Sequence, residues 1–98
     1  MKNFKNFQFQ TIITKEHEIA EGDYIIDNTM VIRCSNGLLD DVVDEEGHVL
    51  PAIEFLDGSH IEHWKKGVLH CETEPAVIDS IDNYEEWWLD GIQKKDSE

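Results

Sequence analysis

Pro51-Ala-Ile-Glu-Phe-Leu-Asp-Gly-Ser-His-Ile-Glu-His-Trp64-Lys-Lys-Gly67 is followed, 24 positions on and without a gap, by Pro75-Ala-Val-Ile-Asp-Ser-Ile-Asp-Asn-Tyr-Glu-Glu-Trp-Trp88-Leu-Asp-Gly91. At this one offset Pro51 meets Pro75, Ala52 meets Ala76, Ile53 meets Val77, Glu62 meets Glu86, Trp64 meets Trp88 and Gly67 meets Gly91. The ring residues His60 and Tyr84 coincide as well. Agreement of this density at a fixed offset marks an internal repeat. Each unit reads as strand, turn, strand, Trp and Gly-containing turn, which is a β-hairpin that cannot bury its apolar face alone. Stacked hairpins would supply the core.

The junction between the two units, Trp64-Lys-Lys-Gly67-Val-Leu-His70-Cys71-Glu-Thr-Glu74-Pro75-Ala76, resembles the bacterial and phage repeat Trp-x-x-Gly-x-x-His-Arg-x-x-Gly-Pro-Ala, which is MORN-like. The resemblance covers about residues 48–93. It implies a curled array of β-hairpins whose work is binding, with no catalytic centre, and proteins built from such repeats include ones labelled as antitoxins. This chain departs from the pattern at Cys71, where the repeat has Arg, and at Glu74, where it has Gly. After Gly91 comes Ile92-Gln93-Lys94 without the His, as in a terminal unit. Upstream, Cys34-Ser-Asn-Gly37-Leu-Leu-Asp40 reads as a third, divergent copy with Asp40 in the place of His70. In that copy fourteen steps rather than eight separate the glycine from the next proline.

Turn chemistry elsewhere agrees with many short strands. Phe7-Gln-Phe-Gln-Thr-Ile-Ile-Thr alternates bulky and polar residues, and Glu21-Gly22-Asp23 punctuates the chain before Tyr24-Ile-Ile-Asp. Thr29-Met-Val-Ile-Arg-Cys lies between Asp27-Asn28 and Ser35-Asn36-Gly37, and turn signals then recur at roughly eight to twelve residues. Helical periodicity is poor, with one turn conceivable over 14–20 and one ambiguous stretch over 82–92. The expectation is one all-β domain over residues 1–98, a meander of antiparallel hairpins with at most one short helix. Residues 1–33 would give the N-terminal strands, 34–93 the acidic hairpin repeats and 94–98 a tail.

Charge narrows the partners. Twenty-two acids face eight bases for a net −14, and Cys34 to Gln93 holds fifteen acids against Lys65 and Lys66 alone. Such a field repels phosphate backbones and anionic membranes, because binding to either rests on Lys and Arg. A basic protein surface is the favoured partner, drawn in by long-range steering. The opening Met1-Lys-Asn-Phe-Lys has no apolar run of a signal peptide, so the expected place is cytoplasmic, with Cys34 and Cys71 reduced.

Candidate residues follow from this frame. Trp64 and Trp88, at equivalent repeat positions, are expected in the core at a cost of roughly 3–5 kcal/mol if truncated. Trp87, on the opposite pleat from Trp88, is the candidate aromatic contact for a partner. The acids Asp40, Asp41, Asp44, Glu45 and Glu46, and with them Glu72, Glu74, Glu85 and Glu86, are expected to form the partner-binding surface and to tolerate charge reversal. His60, His63, His70 and Cys71 have ligand chemistry for zinc, but His60 and His63 would point to opposite faces of a strand and no CxxC is present. No metal or other cofactor is expected. The run over 40–47 lacks the ligand spacing of a calcium loop. No nucleophile elbow, P-loop or dinucleotide fingerprint occurs, so no catalytic residue is assigned. Two functions compete on these grounds. One is an antitoxin-like or immunity-like module that neutralises a basic partner, the other a phage-type nucleic-acid mimic that inhibits a restriction or CRISPR effector.

Overall fold

The computed structural model describes residues 2–4 and 22–94. The strand expected around Phe7 and the turn of helix over 14–20 lie outside the described residues. The described residues form thirteen strands: β1 (Lys2–Phe4), β2 (Gly22–Ile26), β3 (Met30–Ser35), β4 (Leu38–Leu39), β5 (Val42–Val43), β6 (Val49–Leu50), β7 (Ile53–Phe55), β8 (His60–Glu62), β9 (Trp64–Lys65), β10 (Val68–Leu69), β11 (Val77–Asp79), β12 (Tyr84–Leu89) and β13 (Ile92–Lys94). The main sheet runs β1-β2-β3-β7-β8-β11-β12-β13, with β4 beside β3. Only β1 against β2 is parallel, and every other pairing is antiparallel, so the described chain is an all-β meander of hairpins. Residues 82–92, ambiguous in sequence, fold as β12 with its turns. Among the described residues no helix is long and apolar enough to cross a membrane.

Backbone geometry reveals three copies of one unit. Each closes on a two-residue turn in which both central residues have positive φ: Asn36-Gly37 (53°, 78°), Lys66-Gly67 (49°, 86°) and Asp90-Gly91 (49°, 81°). This is the type I′ turn, whose twist matches that of the strands it joins. The same long-range bonds recur between copies. Arg33 N donates to Ala52 O as His63 N donates to Ala76 O, and Gly67 N donates to Leu39 O as Gly91 N donates to Leu69 O. The copy around Cys34 is therefore the first full unit, β2-β3-β4. Its division from the repeats, expected at 33/34, falls inside β3, and Gly22 and Asp23 already belong to β2 rather than to a turn. The longer spacing before Pro51 is filled by an extra hairpin, β5-β6, which pairs Val42 with Leu50 and Val43 with Val49.

The core lies where the first unit meets the second. Ile26, Ile32, Cys34, Leu39, Ala52 and Ile53 form one buried cluster, with Tyr24, Met30, Phe55 and Trp64 partly buried against it. Ile32 and Ile53 are fully buried and cross-strand neighbours, each stabilising the fold by roughly 1.5–3 kcal/mol. The third unit adds Ala76 and Val77 at the positions of Ala52 and Ile53. Trp64 and Trp88 do hold equivalent places, but both are half-buried rather than buried. Their shared environment explains why. Each indole donates to the glutamate two residues earlier, Trp64 Nε1 to Glu62 Oε1 and Trp88 Nε1 to Glu86 Oε1, both at 2.9 Å, so the polar edge stays at the surface.

Candidate functional site

Two kinds of acid separate when the side chains are followed. The first kind builds the fold. Asp41 lies in the link between β4 and β5, and its Oδ1 accepts the backbone amides of Ala52 at 2.7 Å and Trp64 at 3.0 Å while Oδ2 lies 2.8 Å from His63 Nδ1. Three strand segments are thereby tied to one carboxylate. Asp44 closes the β5-β6 hairpin, its Oδ1 accepting the amides of Glu46 and His48. Glu74 reaches His63 Nε2 at 3.1 Å, and Glu86 receives the indole of Trp88. Reversal of these four was expected to leave folding intact; the structure corrects this, since each accepts hydrogen bonds that a lysine would lose.

The second kind faces water. Glu45 and Glu46 are exposed at the tip of β5-β6, Glu72 is exposed in the link after β10, and Glu85 is exposed on β12. Glu74 is exposed despite its bond to His63, while Asp40 is half-buried in the link after β4. The flanks of the β5-β6 hairpin are apolar and also in water, with Val43 at 63% and Val49 at 52% exposure. The ten residues expected at a partner surface thus fall on the link after β4, the β5-β6 hairpin, the link after β10, and β12.

Histidines do the neutralising inside the sheet. His63 is buried between Asp41 and Glu74; His60 sits between Asp79 Oδ2 (2.9 Å) and Glu62 Oε2 (2.7 Å). Burial pushes both imidazoles toward the neutral form, but the flanking carboxylates outweigh it and raise both pKa values above the ordinary 6.5. In turn the Asp82 backbone amide, and after it His60, hold Asp79 below the ordinary carboxylate value. His70 accepts the Asp90 amide on Nδ1 at 2.9 Å, a structural role of the kind its repeat position suggested. His60 and His63 serve separate carboxylate pairs, Asp79 with Glu62 for the first and Asp41 with Glu74 for the second. The group whose ligand atoms do converge, among the described residues, is Asp44, Glu46 and His48, within 4.8 Å of one another at the exposed tip. Cys34 is buried, Cys71 is half-buried, and the two are not linked.

Beside the third unit lies an open groove of about 650 Å³ lined by Ile78, Asp79, Ser80, Asn83, Tyr84, Glu85 and Trp87. Trp87 is half-buried on the pleat opposite Trp88, and lines this groove. Partial desolvation raises the pKa of Tyr84, and the neighbouring Glu86, Asp79, Glu62 and Asp82 add to the rise, so negative potential converges here. Sequence reasoning missed the carboxylate–histidine chains and the Glu–Trp pairs. Only the latter had a signal, the joint recurrence of Glu and Trp two residues apart on one strand face. Comparison of the chain with protein-family models, curated proteins and solved structures finds no match.

Proposed function

We propose that the protein is a non-enzymatic acidic binding module that neutralises a basic partner protein, in the manner of an antitoxin or immunity protein. The observation that carries this reading is uncompensated charge. Of the fifteen acids between Cys34 and Gln93, Glu54 alone meets a lysine or arginine among the described residues, Arg33 at 3.1 Å, and the other ion pairs of that segment use histidine. Exposed carboxylates without internal partners raise the rate at which a cationic surface is met, at a cost in self-repulsion. The β5-β6 hairpin adds an acidic tip with exposed valines beside it, a combination suited to a basic surface with apolar patches.

The test is association kinetics with a partner captured from the native host. The double reversal Glu45→Lys with Glu46→Lys, and separately Glu72→Lys with Glu85→Lys, should each slow association several-fold while leaving the unfolding midpoint near that of the wild type. Association indifferent to both pairs would reduce the acidity to a solubility device. Should the captured partner be a nucleic-acid-binding enzyme that DNA displaces from the protein, the mimic reading takes over.

A further inference from the structure

One position recurs in every unit and carries a different side chain each time. Arg33 N donates to Ala52 O as His63 N donates to Ala76 O, and Trp87 stands 24 positions after His63. The first two of these side chains answer a carboxylate. Arg33 Nη1 lies 3.1 Å from Glu54 Oε1, and His63 Nε2 lies 3.1 Å from Glu74 Oε1 with Asp41 on its other nitrogen. Trp87 carries no charge, yet a carboxylate is placed beside it. Glu85, two residues earlier in β12, shares its pleat, and Ile78 lies directly across from Glu85 on β11. Glu85 is exposed and makes no ion pair among the described residues. The groove at this place has a volume of about 650 Å³, and Ser80, Asn83, Tyr84 and Glu85 along it are exposed to solvent. Ile78 and Trp87 give it apolar surface, Asp79 and Glu85 give it two acids, and no lysine or arginine lines it. Asp79 is already held by His60 and the Asp82 amide, so Glu85 is the acid left for an incoming cation.

Resting on the reading of the protein as an acidic binder, we infer that this groove receives an arginine side chain of the basic partner, its guanidinium stacked on the Trp87 indole and paired with the Glu85 carboxylate. The contact repeats from outside what Arg33 and His63 do within, where a nitrogen cation meets an acid at the same place in the unit. Arginine suits the groove better than lysine. A planar, weakly hydrated guanidinium can lie on an aromatic face and still direct N–H groups at a carboxylate beside it, whereas an ammonium is a compact, strongly hydrated point charge. Ser80 and Asn83, at the β11-β12 turn, offer further oxygen acceptors to a group with five donors. Tryptophan and arginine are also the residues in which interface energy concentrates. The chain's own Lys94 is the rival occupant, since it pairs with Trp87 across β12 and β13 and lies on the same side of the sheet, although it does not line the groove.

The probe is Nα-acetyl-arginine methylamide, which has one positive charge and no free termini, titrated into the full chain at low ionic strength and followed by NMR. The Trp87 indole N–H and the amides of Ser80, Asn83 and Glu85 should shift together, while the β5-β6 tip should not. The citrulline analogue, alike in shape but uncharged, should bind about tenfold more weakly, and the lysine analogue about threefold more weakly. Glu85→Gln should weaken arginine binding about threefold. Trp87→Leu should abolish the preference for arginine over lysine, read from the Ser80 and Asn83 amides. If that variant does not fold, Glu85→Gln, at an exposed residue, carries the test. An arginine probe that shifts nothing in the groove up to tens of millimolar overturns the proposal. So does binding that appears only in Lys94→Ala, because the groove then belongs to the chain's own lysine. Shifts spread evenly over the exposed acids, and equal for lysine and arginine, overturn the groove while leaving the acidic-binder reading standing. Citrulline that binds the groove as tightly as arginine removes the cation, and it counts against the acidic-binder reading as well.

Discussion

His63 is the residue on which the most strands depend, because Asp41, its nearest carboxylate, also holds the amides of Ala52 and Trp64. Replacing the buried His63 with Ala leaves Asp41 and the exposed Glu74 without the imidazole that stands between them. Loss of one member of a buried charged pair costs on the order of 3 kcal/mol. Both His60 and His63 have folded-state pKa values above 6.5, so the stability they contribute is whole below about pH 6.5 and is lost as pH rises through the higher folded value. Asp79 works the other way: its folded pKa is lowered, so its contribution is present above the ordinary 3.8 and disappears as pH falls through the folded value. Stability should therefore peak in mildly acidic solution. Urea midpoints from about pH 4 to 9 check this, and His63→Gln should flatten the alkaline limb of the curve; a wild-type limb already flat would refute the assignment. The tryptophans are less costly than their spacing suggested. Trp64 packs on the core cluster and Trp88 does not, so Trp64→Ala should lose about 3 kcal/mol and Trp88→Ala roughly half of that. Denaturation followed by fluorescence reads both.

Among the elements, the type I′ turns carry the repeat, and they are stacked. A Cβ at Gly67 would come within 3.2 Å of Leu38 Cδ2, and one at Gly91 within 3.3 Å of Val68 Cβ, whereas Gly47, with a similar φ of 87°, has open space around it. Gly47→Ala then bears only the left-handed strain, roughly 1 kcal/mol, while Gly67→Ala must also displace Leu38. We predict a larger loss for Gly67→Ala, and its excess should vanish in a Leu38→Ala background; equal losses would mean the turns do not bear on each other. The hairpin meander was legible because Pro51-Ala-Ile and Pro75-Ala-Val recur in phase with Trp and Gly. The first unit was harder to read because Cys34 replaces the tryptophan, Asp40 replaces the histidine, and β5-β6 breaks the spacing. What survives there is the pair Asn36-Gly37, the one feature the backbone conformation demands. The split between structural and free acids left no local trace, since Asp41 meets its partners 11, 22 and 23 positions away.

For the molecule as a whole, the same carboxylates act in opposite senses on folding and on binding. A net charge of −14 repels itself, so salt should raise the unfolding midpoint of the free protein by screening that repulsion. Salt should also slow association with a basic partner, because steering acts across distances that a Debye length of about 8 Å at physiological ionic strength cuts short. The tip variant Glu45→Lys with Glu46→Lys separates the two effects. Both residues are exposed, and apart from the contact of Glu46 with His48 at 3.8 Å they make no ion pair among the described residues, so their reversal brings the net charge to about −10 without removing a bond that the sheet needs. The variant should be at least as stable as the wild type, with a shallower dependence of its midpoint on salt. Its association should be slower at low salt and converge with the wild-type rate as salt rises, while dissociation changes little. Stopped-flow association and urea denaturation over one salt series measure all of this in the same samples. A variant that dissociates faster at unchanged association rate would place the tip in a desolvated contact, and its acids would then act through bound-state pairing rather than through the field.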